Sequence, residues 1–193
     1  MTPFSILSAR AAWLDRANID TDQIIPAGFL RKPRSVGYGQ FLFHDLPDAR
    51  AAVQGASILL AGPNFGCGSS REGAVYALVD AGVRCVLAPS FGDIFFGNAG
   101  KNGLLALVQP EDVLARLAAG LSLLTVDLPA QTLTTGTFRV PFDIDPFRKR
   151  CLIEGLDDIG LTLAYSDAIE AWQRADTVAR PWVIPRPGSS RTD

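Results

Sequence analysis

Between residues 56 and 89 a short apolar run, a glycine-rich turn, an amphipathic stretch and a second apolar run follow one another. Nothing else in the chain restricts the fold so tightly. "ASILLAG" (56–62) is apolar without alternation, as a strand buried on both faces must be. "GPNFGCGSS" supplies the turn. In "SREGAVYALVDAG" Ala74, Leu78 and Ala81 share a helical face, and Gly82 behind them marks a stop. "VRCVLAP" (83–89) repeats the buried pattern. Parallel strands need a crossover of a dozen or more residues, usually a helix, so the segment predicts a βαβ unit within an α/β fold whose sheet is parallel or mixed.

The flanks add further elements. Residues 4–14 read as an opening strand or extended pair, followed by a loop of 26 residues, 15–40, dense in Asp, Pro, Gly and basic side chains. Loops that long inside a domain are usually functional. After Pro89, Ser90 is placed to cap a short helix, and Leu104–Val108 form a strand. Pro110-Glu111-Asp112 opens a helix to about Ala119, with acids where the dipole favours them. Strands are predicted at 122–128 and 131–140. A helix capped by Asp145, with Pro146 in its first turn, ends at Gly155, and another covers 167–175. The three prolines and the Ser/Gly/Arg end beyond Asp176 predict an extended tail. The expected division is therefore a domain over 1–175 and a tail over 176–193.

Composition removes several functions. With 18 Lys+Arg against 20 Asp+Glu the net charge is −2, and no basic run is interleaved with aromatics, so nucleic acid is not an expected partner. No apolar run approaches the ~18 residues of a membrane span, and "MTPFSILSAR" lacks the basic-then-apolar order of a secretory leader, so a cytosolic address is expected. Cys67, Cys85 and Cys151 are an odd number at spacings of 18 and 66, which suits reduced thiols. His44 is the single histidine, set between apolar residues and a proline as a partly buried structural histidine is. With one histidine and no cysteine pair at knuckle spacing, the chain is expected to carry no metal of its own.

Chemistry concentrates where the first buried strand hands over to the helix. Gly66, Cys67 and Gly68 let the backbone turn tightly and approach a ligand, and the helix start offers unpaired N–H groups and the positive end of its dipole. Arg71 adds a fork of donors suited to a carboxylate or phosphate. Two readings stand side by side: an anion site, or plain capping of the helix by Ser69 or Ser70 with Glu72. Cys67 is either a thiol activated by the dipole or a small residue filling a turn. Phosphate-loop, dinucleotide-binding and nucleophile-elbow spacings are all absent. In the long loop Asp20, Asp22 and Arg31 form a second polar group, able to do acid–base work or simply to cap turns.

"NIDTDQIIPAGFL" (18–30), "GYGQFLFHDL" (37–46), "NFGCGSSRE" (64–72), "APSFGDIFFGNAGKNGLL" (88–105) and "DPFRKRCLIEGLDDIGLTL" (145–163), taken in order, resemble the 3-isopropylmalate dehydratase small-subunit family of the aconitase superfamily. The resemblance implies a three-layer β/β/α swivelling domain that closes on a separate large subunit. It also implies a 4Fe-4S cluster in that partner and no cofactor in this chain. The substrate is then a small dicarboxylate, 2-isopropylmalate, isomerised through 2-isopropylmaleate by loss and return of water. By position, Ser69 is implied as the base, Ser70 as its neighbour and Arg71 as a carboxylate clamp. Thr21 and Asp22 complete the site, and Phe29-Leu30-Arg31 lies where the superfamily reads the variable group of the substrate. Arg31 equally suits a third carboxylate, so hydratases of citramalate, dimethylmalate or homoaconitate are the neighbouring alternatives. A non-catalytic anion-binding subunit is the alternative from another class, and an independent nucleotide binder a third. One position departs from the family's pattern: Gly73 stands where the resemblance implies histidine.

Overall fold

The structure is a computed structural model and describes residues 1–183. Two compact units divide at Asp157/Asp158. In the first, strands β1 (Ile6–Ala9), β6 (Leu124–Asp127), β7 (Thr132–Thr135) and β8 (Phe138–Pro141) form an antiparallel sheet in the order β1-β6-β7-β8. Strands β2 (Ala11–Leu14), β3 (Ile58–Ala61), β4 (Cys85–Ala88) and β5 (Leu105–Val108) form a parallel sheet in chain order. The extended pair expected over 4–14 is real, and it changes sheet at Arg10, whose guanidinium donates to the Ala52 and Gln54 carbonyls.

Side chains along the parallel strands face opposite ways in turn, and both faces are covered. Ile58, Leu60, Cys85, Leu87, Leu105 and Leu107 pack against Leu124, Val126 and Leu133 of the antiparallel sheet. Leu59, Ala61, Val86, Ala88 and Ala106 pack with Ala74 and Leu78 of helix α3 (Glu72–Asp80) and Phe95 of α4 (Asp93–Lys101). The result is three layers, helices on a parallel sheet on an antiparallel sheet, as the β/β/α expectation required. Each fully buried Leu or Ile contributes about 1.5–3 kcal/mol of transfer free energy, so the central sheet is where the stability concentrates.

Elsewhere the unit carries α1 (Thr21–Ile24), three 3-10 turns (Ala27–Arg31, Arg34–Val36, Tyr38–Phe41), α2 (Pro47–Val53), α5 (Glu111–Ala118) and α6 (Pro146–Glu154). Asp145 caps α6 by accepting from the Arg148 N–H at 2.8 Å, and Gly155 closes it in the left-handed region, both as expected. The long 15–40 segment is mostly short helical turns rather than irregular chain.

Four expectations are corrected. The 131–140 strand is a hairpin, because Gly136 takes a φ of +53° and turns the chain between Thr135 and Phe138. Ser90 does not cap α4, whose N-cap is Gly92; its Oγ accepts instead from the Asn64 N–H. His44 is exposed, with its ring edge-on to Phe29 at 4.8 Å, since Leu42 and Phe43 take the interior. In the second unit, α7 (Asp158–Leu163) precedes α8 (Ser166–Ala179), which runs on through Asp176, where extended chain was expected. The Arg180–Asp176 ion pair at i, i+4 holds its last turn, and Pro181 follows. The remainder of the expected tail, 184–193, lies outside the described residues. Among the described residues no helix is long and apolar enough to cross a membrane.

Candidate functional site

Every residue of the candidate site follows the carboxyl end of a parallel strand, the place where open α/β sheets bind ligands. Beyond β2 the chain reaches Asp20–Asp22, beyond β3 it reaches Gly66–Arg71, and beyond β4 it reaches Ser90–Gly92. Two isolated parallel bridges, Asp20 to Cys67 and Phe65 to Phe91, carry the order of the sheet out into these loops. The Gly66 N–H donates to Ile19 O at 2.7 Å and the Thr21 N–H to Cys67 O at 3.0 Å. Gly92 N–H donates to Phe65 O at 2.9 Å. The loops are thus stitched by main chain.

Glycine is required at two of these positions. Gly66 has φ +72°, and a Cβ there would overlap the Phe95 ring. At Gly92 a Cβ would sit 2.6 Å from Gly66 O. Asn64, at φ +60°, is steadied by its Nδ2 donating to Asn18 Oδ1 at 2.7 Å. Sequence reasoning passed over Asn18, Asn64, Gly92 and Phe95. Asn64, Gly92 and Phe95 share a weak signal, a glycine or asparagine one or two residues from an aromatic, and Asn18 lacks even that.

The structure decides against the capping reading of the serines. The N-cap of α3 is Arg71, with no side-chain cap, and among the described residues neither Ser69 Oγ nor Ser70 Oγ makes a hydrogen bond. Glu72 points elsewhere, accepting from Asn102 Nδ2 at 2.7 Å. Both serines are exposed, at the positive end of the α3 dipole. A capping box does exist, but at α1: Asp20 Oδ1 accepts from the Gln23 N–H at 2.7 Å, and Gln23 Oε1 accepts from the Asp20 N–H at 3.0 Å. Asp20-x-x-Gln23 was its legible signature.

Thr21 and Asp22 both contact the serine loop. Thr21 is buried and its hydroxyl donates to Ser69 O at 2.9 Å. Asp22 Oδ1 forms an ion pair with Arg71 Nη1. The Arg71 side chain is 17% exposed against 55% for Asp22, and Nη1 is sealed from solvent with Asp22 Oδ1 as its partner. The pair aims the guanidinium. Arg31 is exposed at the end of the 27–31 turn, and the structure gives it no ion pair with the others among the described residues.

Asp22→Asn removes the charge that aims Arg71. It is expected to lower kcat/KM by about 10-fold, since a hydrogen bond or pair to a charged group is worth about 1.5–3 kcal/mol. Thermal stability should barely change, because Asp22 is half exposed; steady-state kinetics beside a melting curve checks both.

Among the described residues no three His, Cys, Asp or Glu side chains converge to hold a metal. Cys85 and Cys151 are buried, and Cys67 is half-buried in the loop. Burial pushes the Cys85 thiol well above its ordinary range. Titration with an aromatic disulfide is expected to count Cys67 alone in the native chain and all three cysteines after unfolding.

Comparison with known proteins places this arrangement. Residues 42–112 match a family model described as the Aconitase C-terminal domain, 117–146 one described as LeuD_N, and 158–186 one for the C-terminal domain of the 3-isopropylmalate dehydratase small subunit. Proteins named 3-isopropylmalate dehydratase small subunit are 44% identical in Rhodospirillum centenum and 46% identical in Roseobacter denitrificans, each across 95% of this chain and 100% of the relative. One in Acidobacterium capsulatum is 46% identical across 100% of both. A crystal structure of 3-isopropylmalate dehydratase from Methanocaldococcus jannaschii superposes with a TM-score of 0.69 at 25% identity, covering 87% of this chain and 99% of that one. With identity of this size running from end to end, the chain belongs to the 3-isopropylmalate dehydratase small-subunit family.

Proposed function

We propose that this chain is the serine-bearing half of a cytosolic two-subunit hydro-lyase that converts 2-isopropylmalate to 3-isopropylmalate through 2-isopropylmaleate in leucine biosynthesis. The observation that carries the reading is Arg71, a largely buried guanidinium beside Ser69 and Ser70 that the Nη1–Asp22 Oδ1 ion pair aims. The rest of its donor fork suits a substrate carboxylate, and a hydrogen bond to a charged group is worth about 1.5–3 kcal/mol. Beside it, Ser69 and Ser70 offer unengaged hydroxyls at the end of a helix whose N–H groups and dipole favour negative charge.

In this reading Ser69 Oγ takes the proton from the substrate carbon adjacent to the departing hydroxyl, and returns it when water adds back in the opposite sense. The alkoxide form that accepts the proton is stabilised by the α3 N-terminus and by Arg71. Ser70 hydrogen-bonds beside it, and Arg71 holds one carboxylate in register. The Gly66, Cys67 and Gly68 backbone shapes the loop, Thr21 fixes Ser69 through its carbonyl, and Asp22 aims Arg71. Arg31 lies on the turn that borders the variable group.

The 4Fe-4S cluster that the family resemblance implies does not fit this chain's own donors, and we assign it to the large subunit. The large subunit and a dicarboxylate are the partners. Anaerobic co-purification of the tagged chain from its own cytosol, with an assay of the eluate for hydration of 2-isopropylmaleate, tests the reading. A larger iron–sulfur protein recovered with that activity is expected. No partner, or a partner without activity on any malate-type acid, would overturn it, and hydration of homoaconitate in its place would give Arg31 the third carboxylate.

A further inference from the structure

Gly73 is buried in the first turn of α3, two residues past Arg71. A Cβ there would overlap Leu30 Cδ2 and lie 3.5 Å from Tyr38 Cε2. Leu30 belongs to the 27–31 turn and packs against the core. The chain that follows is fastened to the same helix. Tyr38 N–H donates to Asp80 Oδ2 at 2.8 Å, and Arg34 pairs with Asp80 at 3.7 Å while lying 3.6 Å over the Tyr76 ring. Tyr38 Oη then donates back to Lys32 O at 2.8 Å, closing the segment on itself. Positions 73, 76 and 80 recur at helical spacing, so one face of α3 holds the whole turn. The contact at Gly73 is the one nearest the serine loop.

We propose that Gly73 is a positioning residue for substrate choice. Its missing Cβ is a seat for Leu30, and the seat sets how far the 27–31 turn stands from the Ser69–Arg71 loop. The distance leaves room for a short branched apolar arm on a malate-type diacid. A methyl group at 73 pushes the Cδ2 end of Leu30 away by about an ångström, because carbon atoms settle at about 3.5–4.0 Å. This proposal rests on the functional reading above and adds to it a residue that touches no substrate.

Two measurements on the full chain test it. Trypsin cleavage after Arg31, followed by mass spectrometry on the chain alone, reads the seat without reference to activity. Gly73→Ala is expected to raise that cleavage by about fivefold, and Leu30→Ala/Gly73→Ala to show no rise beyond Leu30→Ala. In the complex reassembled with the large subunit, the ratio of kcat/KM for 2-isopropylmalate to that for 2-methylmalate is expected to fall by about fivefold or more in Gly73→Ala, with KM carrying the change. In the Leu30→Ala background the same substitution should leave the ratio alone. An unchanged cleavage rate, an unchanged ratio, or equal effects in both backgrounds overturns the proposal. Should the wild-type complex fail on both acids while cleavage changes as expected, the functional reading falls, and with it the substrate role of Gly73, while the seat itself stands.

Discussion

Ser69→Ala is expected to reduce turnover of the assembled enzyme by about 10²–10⁴-fold, the range that a positioned general base contributes. The size of the effect follows from what surrounds the hydroxyl. Among the described residues Ser69 Oγ makes no hydrogen bond, does not cap α3 and is exposed, so removing it leaves no buried group unmatched and opens no cavity. Its main-chain carbonyl, which accepts from the Thr21 hydroxyl, survives the substitution. Melting temperature and retention of the large subunit should therefore match the wild type while kcat collapses. Such a split separates chemistry from assembly, since a residue with only a structural role would change them together. Turnover within about threefold of wild type would remove Ser69 from the proton-transfer role and favour a subunit that merely holds an anion.

Gly66→Ala should be the most damaging small substitution in the loop, by about 2–5 kcal/mol in urea unfolding. Two costs add. A left-handed φ of +72° costs an L-residue about 1–2 kcal/mol, and the new methyl overlaps the Phe95 ring, which overpacking data put at about 1–3 kcal/mol. Phe95 cannot yield easily, because it is buried and its ring stands edge-on to Phe65 at 5.4 Å and stacks with Phe91 at 6.3 Å. Gly68→Ala is the internal control. Its φ is also positive, at +87°, but the added methyl meets only Asp20 Cβ at 3.5 Å and Thr21 Oγ1 at 3.8 Å, ordinary contacts, so it should lose about 1 kcal/mol. Equal losses at the two positions would mean that the Phe95 packing contributes nothing. Gly66→Ala should also lower kcat by displacing the amide that donates to Ile19 O.

The sequence made the β3–α3–β4 unit plain because a glycine turn separates two strictly apolar runs, and Ala74 and Leu78 repeat at helical spacing between them. Asp145, Pro146 and Gly155 bound α6 by local chemistry alone, and the structure keeps all three in those roles. Where tertiary packing decides, the residues said less. "TLTTGTFRV" is so rich in β-branched and aromatic residues that it reads as one strand, and the backbone at Gly136 makes it a hairpin. His44 and Phe43 are neighbours of similar bulk, and which of them goes inside depends on the contacts of Phe43 with the core. In the site, Ser69–Arg71 were legible from the strand–glycine–helix order, but whether the serines cap could not be read from spacing. Asp22 was legible by family resemblance, whereas its pairing with Arg71 joins segments that share no local pattern. The Leu30–Gly73 contact was visible only as an unexplained glycine.

Beside three side-chain links, the Thr21 hydroxyl to Ser69 O, the Asp22–Arg71 ion pair and the Asn64–Asn18 hydrogen bond, the serine loop is joined to the Thr21 segment by peptide groups. Peptide groups are the same in every residue except proline, so the join is indifferent to which side chains flank it. Away from those three links, either segment can exchange side chains during divergence while its peptide groups still dictate the path of the other. The main-chain part of the junction leaves no record as paired substitutions, and a search for co-varying residues would meet only the side-chain pairs beside it.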